Sequence, residues 1–175
     1  MPSFHITRQV RHSPQQMYDL VADIERYPEF LPLCESLRVL RRQEGANGVP
    51  VLIAEMGVGY KAIRERFTTR VTLDPAERRI VAAYIDGPFR HLENRWLFKE
   101  GPGGGCDVDF FITYEFKSRA LGLLMGSMFD RAFRKLTDAF EGRADRVYGA
   151  PEADRMPRAP GRPRCPPRSR LPPRR

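Results

Sequence analysis

Three histidines, His5, His12 and His91, are the first side chains to weigh for chemistry, and they are too few and too scattered for a metal-ligand spacing. His12 precedes Ser13, yet that serine has another task. In Ser13-Pro14-Gln15-Gln16 it reads as a helix N-cap, with Pro14 at the first helical position and Gln16 closing a capping box, so no catalytic triad is expected. The glycines between 101 and 105 lack the Lys-Ser/Thr of a phosphate-cradling loop and read as a hairpin loop. Cys34, Cys106 and Cys165 form no CxxC pair and leave one over in any pairing, which points to a reducing compartment rather than a disulfide framework.

Paired carboxylates are the remaining enzymatic option. Between 108 and 116, one parity holds Val108, Phe110, Ile112, Tyr114 and Phe116, and the other holds Asp109, Thr113 and Glu115. Strand alternation sends both acids to the solvated face. Glu65 differs, because it shares parity with Phe67, Thr69 and Val71. A carboxylate on that side is a candidate acid or base, with Tyr114 as its partner in a cyclase-type enzyme.

The other inward positions are apolar with a few polar points. They are Ala54, Met56 and Val58 on one strand, Phe67, Thr69 and Val71 on the next, Leu92, Asn94, Trp96 and Phe98 on a third, and Phe110, Ile112 and Tyr114 on a fourth. Leu121, Met125, Met128, Phe129 and Ala132 face them from a helix. Trp96, Asn94 and Tyr114 offer hydrogen bonds to a ligand carbonyl from a greasy wall. The same residues would equally build a closed core. Small Ala54 and Ala132 mixed with flexible Met56, Met125 and Met128 favour loose, adaptable packing.

The elements that must position these residues follow from hydrophobic period. Ser3 to Arg11 reads as a strand, Met17, Leu20, Val21 and Ile24 as a helical stripe, and Pro28 and Pro32 force a kinked turn through Tyr27-Pro28-Glu29-Phe30-Leu31-Pro32. Six strand-like runs follow, at 37–43, 51–60, 65–73, 79–85, 92–99 and 107–116, with connections short enough for an antiparallel meander. From about 119 to 148 the apolar period lengthens to three or four, giving a helix about 40 Å long with a charged outer face. The expected fold is α+β of the helix-grip kind: a curved seven-stranded antiparallel sheet around a long C-terminal helix.

The net charge of +8 invites a nucleic-acid reading, but its location argues otherwise. Residues 150–175 hold eight arginines against Glu152 and Asp154, a balance of +6 that leaves +2 for the first 149 residues. No DNA is expected as a partner. The domain is taken as 1–148 and the stretch 149–175, rich in Pro and Arg, as a disordered tail able to meet anionic lipid or RNA. No apolar run follows a basic start, so no signal peptide is expected. The longest greasy stretch, 121–129, is far short of the ~20 residues that span a bilayer. The expected location is cytoplasmic, with peripheral contact at an inner membrane.

These residues also resemble a known family. Tyr27-Pro28-Glu29-Phe30-Leu31-Pro32-Leu33-Cys34, Phe67-Thr68-Thr69-Arg70-Val71, Asp86-Gly87-Pro88-Phe89 with Leu92, Trp96-Leu97-Phe98 and Tyr114-Glu115-Phe116 are similar to the coenzyme Q-binding, START-like proteins, a group that includes the ribosome association toxin RatA. The resemblance covers roughly 3–148, with Leu33 where the family usually carries Trp. It implies a helix-grip fold that binds ubiquinone as a ligand, uses no cofactor, catalyses nothing and supports respiratory electron transport as a chaperone or carrier. A ribosome-binding role is the alternative it leaves open, and polyketide cyclases of the wider superfamily are another. Tyr27, Pro28, Phe30 and Pro32, with Gly87, Pro88 and Phe89 and the greasy start of the long helix (Leu121, Leu123, Leu124), are the expected gate to the cavity. Lys117 and Arg119, beside the greasy start of the long helix (Leu121, Leu123, Leu124), are placed to meet lipid headgroups.

Overall fold

Period-two burial runs along the last strand, where Cys106, Val108, Phe110, Ile112 and Tyr114 are buried and the residues between them are half-exposed. The computed structural model describes residues 1–149, in which seven strands join one antiparallel sheet. They are β1 (Ser3–Val10), β2 (Cys34–Glu44), β3 (Pro50–Tyr60), β4 (Ile63–Asp74), β5 (Arg79–Asp86), β6 (Phe89–Glu100) and β7 (Cys106–Phe116). Their order is β1-β7-β6-β5-β4-β3-β2, a meander whose last strand pairs with the first. The expectation for the tail, from 150 onward, lies outside the described residues.

Helix α1 (Pro14–Ala22) begins with the capping box read from the sequence: Gln16 N donates to Ser13 Oγ at 3.2 Å and Ser13 N to Gln16 Oε1 at 3.1 Å. The kinked turn is a 3₁₀ segment, Ile24–Glu29, that carries Pro28 inside it. β2 and β6 each begin three residues before the runs expected of them. β-Bulges at Cys34/Ser36 and at Phe89/His91 explain this, because one extra residue is absorbed and pairing continues past the break in alternation. Bulges also bend the strands that carry them, which helps the sheet curve.

Helix α2 (Arg119–Tyr148) is capped by Ser118, whose side chain accepts from Leu121 N at 3.2 Å. It lays Met125, Met128, Phe129, Thr137, Phe140 and Ala144 against the concave face of the sheet. This is the helix-grip arrangement. Its core joins α1, the 3₁₀ segment, the inner face of the sheet and α2 in one apolar cluster.

Candidate functional site

Sheet and helix do not close on each other completely. Between them lies an apolar cavity of about 170 Å³. Of the strand positions placed inward by alternation, Ala54, Met56 and Val58 of β3, Phe67, Thr69 and Val71 of β4, Leu92, Asn94 and Trp96 of β6 and Phe110, Ile112 and Tyr114 of β7 line it, whereas Phe98 is buried away from it. Phe129 and Ala132 face them from α2. Sequence reasoning missed Ile80 and Ala82 on β5, Cys34 and Leu37 on β2, and Phe133, Leu136 and Phe140 farther along α2. The signal was present, since Ile80 and Ala82 share a parity and the three α2 residues continue the helical period.

Two corrections concern α2 and the gate. Leu121, Met125 and Met128 do not line the cavity, although Met125 and Met128 are buried. The cavity starts at Phe129, whose ring stacks on Phe116 at 5.5 Å, while Phe116 stacks on Phe89 at 4.6 Å. That aromatic stack closes the end of the cavity, and the first turns of α2 pack beyond it. Gly87 and Pro88 also lie off the cavity. Gly87 is a backbone requirement: at φ +138° a Cβ there would stand 2.6 Å from Phe67 Cβ. Pro88 O accepts from Lys117 N at 2.8 Å, so this turn is fastened to the start of α2 rather than free to swing. Phe89 does line the cavity, as do Tyr27 and Pro32.

A groove on the surface borders the cavity at the other prolines. Pro28, Phe30, Leu31 and Pro32 form a surface groove with Lys135 and Ala139 of α2, and Leu31 and Pro32 belong to groove and cavity alike. Next to them Leu33 sits at φ +68°, a left-handed backbone that costs a branched residue of order 1–3 kcal/mol. Its carbonyl is held by Gly59 N at 3.0 Å.

The wall carries a small set of polar atoms. The Asn94 amide is committed, donating to Phe111 O at 3.1 Å, and Tyr27 Oη donates to Val21 O at 2.5 Å. Thr69, Trp96 and Tyr114 are 7%, 5% and 3% exposed, and no hydrogen bond to their side chains is found among the described residues. Burial pushes the Tyr114 phenol up, with the Asp130 charge adding to the effect, so it stays a neutral donor. All three residues line the cavity, so a ligand acceptor there would meet donors without a competing partner. The fully buried side-chain polar atoms that lack a partner among the described residues, Tyr84 Oη and Asp107 Oδ1, lie off the cavity.

Nucleophilic chemistry finds little support here. Burial pushes the Cys34 thiol to about 11 and Cys106 to about 12, which keeps both protonated and unreactive near neutrality. Glu65 is half-buried opposite Val58 and does not line the cavity, so it is not brought to Tyr114. Asp109 points outward to His5 at 2.5 Å, and buried His12 pairs with Asp145 at 2.6 Å; both tie elements together. Among the described residues no cluster of three or more His, Cys, Asp or Glu suits a metal, and no helix is long and apolar enough to cross a membrane.

Comparisons agree with this geometry. The family described as polyketide cyclase / dehydrase and lipid transport matches residues 10–141. A coenzyme Q-binding protein COQ10 homolog B, mitochondrial, from Xenopus laevis is 36% identical over 144 residues, which cover 80% of this chain and 57% of that one. The chain therefore spans little more than half the length of that relative. The ribosome association toxin RatA of Vibrio cholerae is 35% identical over 140 residues, covering 80% of this chain and 93% of the toxin. In fold, a START superfamily protein from Mycobacterium smegmatis superposes with a TM-score of 0.69 at 22% identity, over 83% of this chain and 98% of that one.

Proposed function

We propose a non-catalytic binding role for this chain, which belongs to the polyketide cyclase / dehydrase and lipid transport family and, within it, to the group of coenzyme Q-binding homologues and ribosome association toxins. Its ligand on this reading is ubiquinone or a similar isoprenoid quinone, carried for respiratory electron transport. The observation that carries the reading is an apolar cavity whose side chains at Thr69, Trp96 and Tyr114 lack hydrogen-bond partners. The indole N–H only donates, and both hydroxyls are free to donate. A benzoquinone ring offers acceptors alone, so the match of donors to acceptors is direct.

Size supports a division of the ligand. An apolar cavity of about 150 Å³ stays dry and binds benzene. The 170 Å³ here suits one ring, not a long tail. The ring would sit between Trp96 and Tyr114, and the isoprenoid tail would leave past Leu31 and Pro32 into the groove. Apolar burial of that tail, at ~25 cal/mol per Å², would supply most of the affinity.

Trp96 is the sole tryptophan, so its fluorescence reports on the cavity without interference. A short-chain ubiquinone should quench it saturably, and organic extraction of natively purified protein should release quinone detectable by mass spectrometry. Thr69→Val keeps shape while deleting a donor, and should weaken the quenching titration about 3- to 10-fold. Linear, unsaturable quenching together with a reproducibly empty extract would defeat the proposal.

The second reading is association with the ribosome, favoured by the 93% of the Vibrio cholerae toxin that this chain covers. Co-sedimentation with the large ribosomal subunit, undiminished in the Thr69→Val variant, would support it over the quinone reading.

A further inference from the structure

Charge and apolar exposure are distributed unevenly along α2. Residues 117–137 hold five cations, Lys117, Arg119, Arg131, Arg134 and Lys135, against the single acid Asp130. None of the five has an ion-pair partner among the described residues, and all are exposed. In the same segment Leu123 is 84% exposed and Leu124 is 63% exposed, the first being the most exposed large apolar side chain of the described chain. Two neighbouring leucines in water beside unpaired cations are poorly explained by folding alone, because neither contributes to the core.

Helical spacing links this patch to the groove that borders the cavity. Leu124, Arg131 and Lys135 are separated by seven and then four residues, which puts them on one side of α2. Lys135 borders the groove whose Leu31 and Pro32 also line the cavity.

We propose that the N-terminal half of α2 is a docking surface for a lipid bilayer bearing anionic headgroups, with Leu123 and Leu124 entering the interface and the unpaired cations meeting phosphates. This deepens the reading of the cavity as a lipid-binding site and rests on it for its purpose, though not for its test. The two components act together in a known way: apolar side chains supply insertion depth, and each Lys or Arg near an anionic surface adds electrostatic attraction. Docking by this side turns the groove at Leu31 and Pro32 toward the membrane, where a tail leaving the cavity would pass into lipid without crossing water. RNA would match the cations but gives no role to the leucines.

The test is vesicle co-sedimentation of the full 175-residue chain with phosphatidylcholine vesicles, with and without roughly one-third phosphatidylserine. Binding to the anionic vesicles should fall roughly tenfold or more in Leu123→Ser/Leu124→Ser and again in Arg131→Gln/Lys135→Gln. It should hold in Leu40→Ser, which changes a leucine 52% exposed on β2. Far-UV circular dichroism checks that each variant folds. Binding that ignores the leucines and depends on cations alone would mean a polyanion site and overturn the proposal. A dimer that the leucine change converts to monomer would overturn it too, by showing that a second copy covers them. Quinone content measured on the same samples separates the two proposals: an empty protein that still docks leaves the surface standing, and a loaded protein that never docks removes it.

Discussion

From Asp138 to Tyr148, α2 is tied to the body by directional pairs, and from Arg119 to Lys135 it is not. Arg8 reaches both Asp138 and Glu141 and also donates to Thr137 Oγ1 at 3.2 Å; Asp145 pairs with His12, and Arg143 with Glu29 at 2.6 Å. The rings behind these pairs interlock: Phe140 stands edge-on to Tyr27 at 5.4 Å, to Phe30 at 5.1 Å and to Trp96 at 5.1 Å. The other half rests on dry contacts of Met125, Met128 and Phe129, and it carries two glycines, Gly122 and Gly126. Edge-on rings occur in both halves, since Phe129 stands edge-on to Tyr114 at 5.6 Å, so the difference lies in the ion pairs, which hold one orientation, against methionine packing, which is soft and tolerates sliding. The lesson is that one continuous helix serves as anchor at one end and as an adjustable, outward-facing element at the other.

Phe140→Ala gives the largest expected effect on that contrast. It should cost about 3–5 kcal/mol in urea unfolding, while Leu124→Ala should stay within about 0.5 kcal/mol of the parent. Similar losses at the two positions would mean that the exposed half is packed as firmly as the anchor, and the comparison would fail.

Gly126→Ala sharpens the contrast from the other side. A Cβ there meets nothing within 4 Å, so the change should stabilise the protein by about 0.5–1 kcal/mol by reducing backbone freedom. A loss of stability in the same assay would show a close neighbour and a packing reason for the glycine.

The smallest effect is acid sensitivity of the anchor. A hydrogen bond from Arg26, then the charges of Arg143 and Arg26, hold the Glu29 carboxyl below its ordinary 4.5. A carboxyl lowered in the folded state contributes stability above the unfolded value, and that contribution disappears as pH falls through the lowered one. Urea midpoints should therefore decline less steeply below pH 4.5 in Glu29→Gln than in the parent. Identical acid limbs would remove this pair from the anchor.

Much of the site was legible because β-structure has a period of two. With Trp96 and Tyr114 on strands, alternation alone puts them on the same inner face, and the pairing of Trp96 with Phe110 and of Leu92 with Tyr114 sets them four residues, roughly 13 Å, apart along adjacent strands. Helix α2 was harder. Its period names an inward face that includes Phe129 and Phe140 but says nothing of where along that face the cavity ends, and Leu121, Met125 and Met128 lie beyond that end. The gate was mixed for a similar reason: Gly87 marked a special backbone, yet only the approach of Phe67 to 2.6 Å of its notional Cβ shows that the turn is closed.

What the amino-acid order determined by itself is local: strand faces, the cap at Ser13, the punctuation at Pro28 and Gly101, and the switch from strand to helix after Phe116. Only the tertiary structure decided that a ring-sized space stays open, that Leu31 and Pro32 stand between it and a surface groove, and that the basic half of α2 goes unpaired while the acidic half is clamped. The physical reason is that period and capping arise from neighbours a few residues apart. A void and a free charge instead depend on which distant side chains, such as Arg8 against Glu141, arrive to fill or neutralise them.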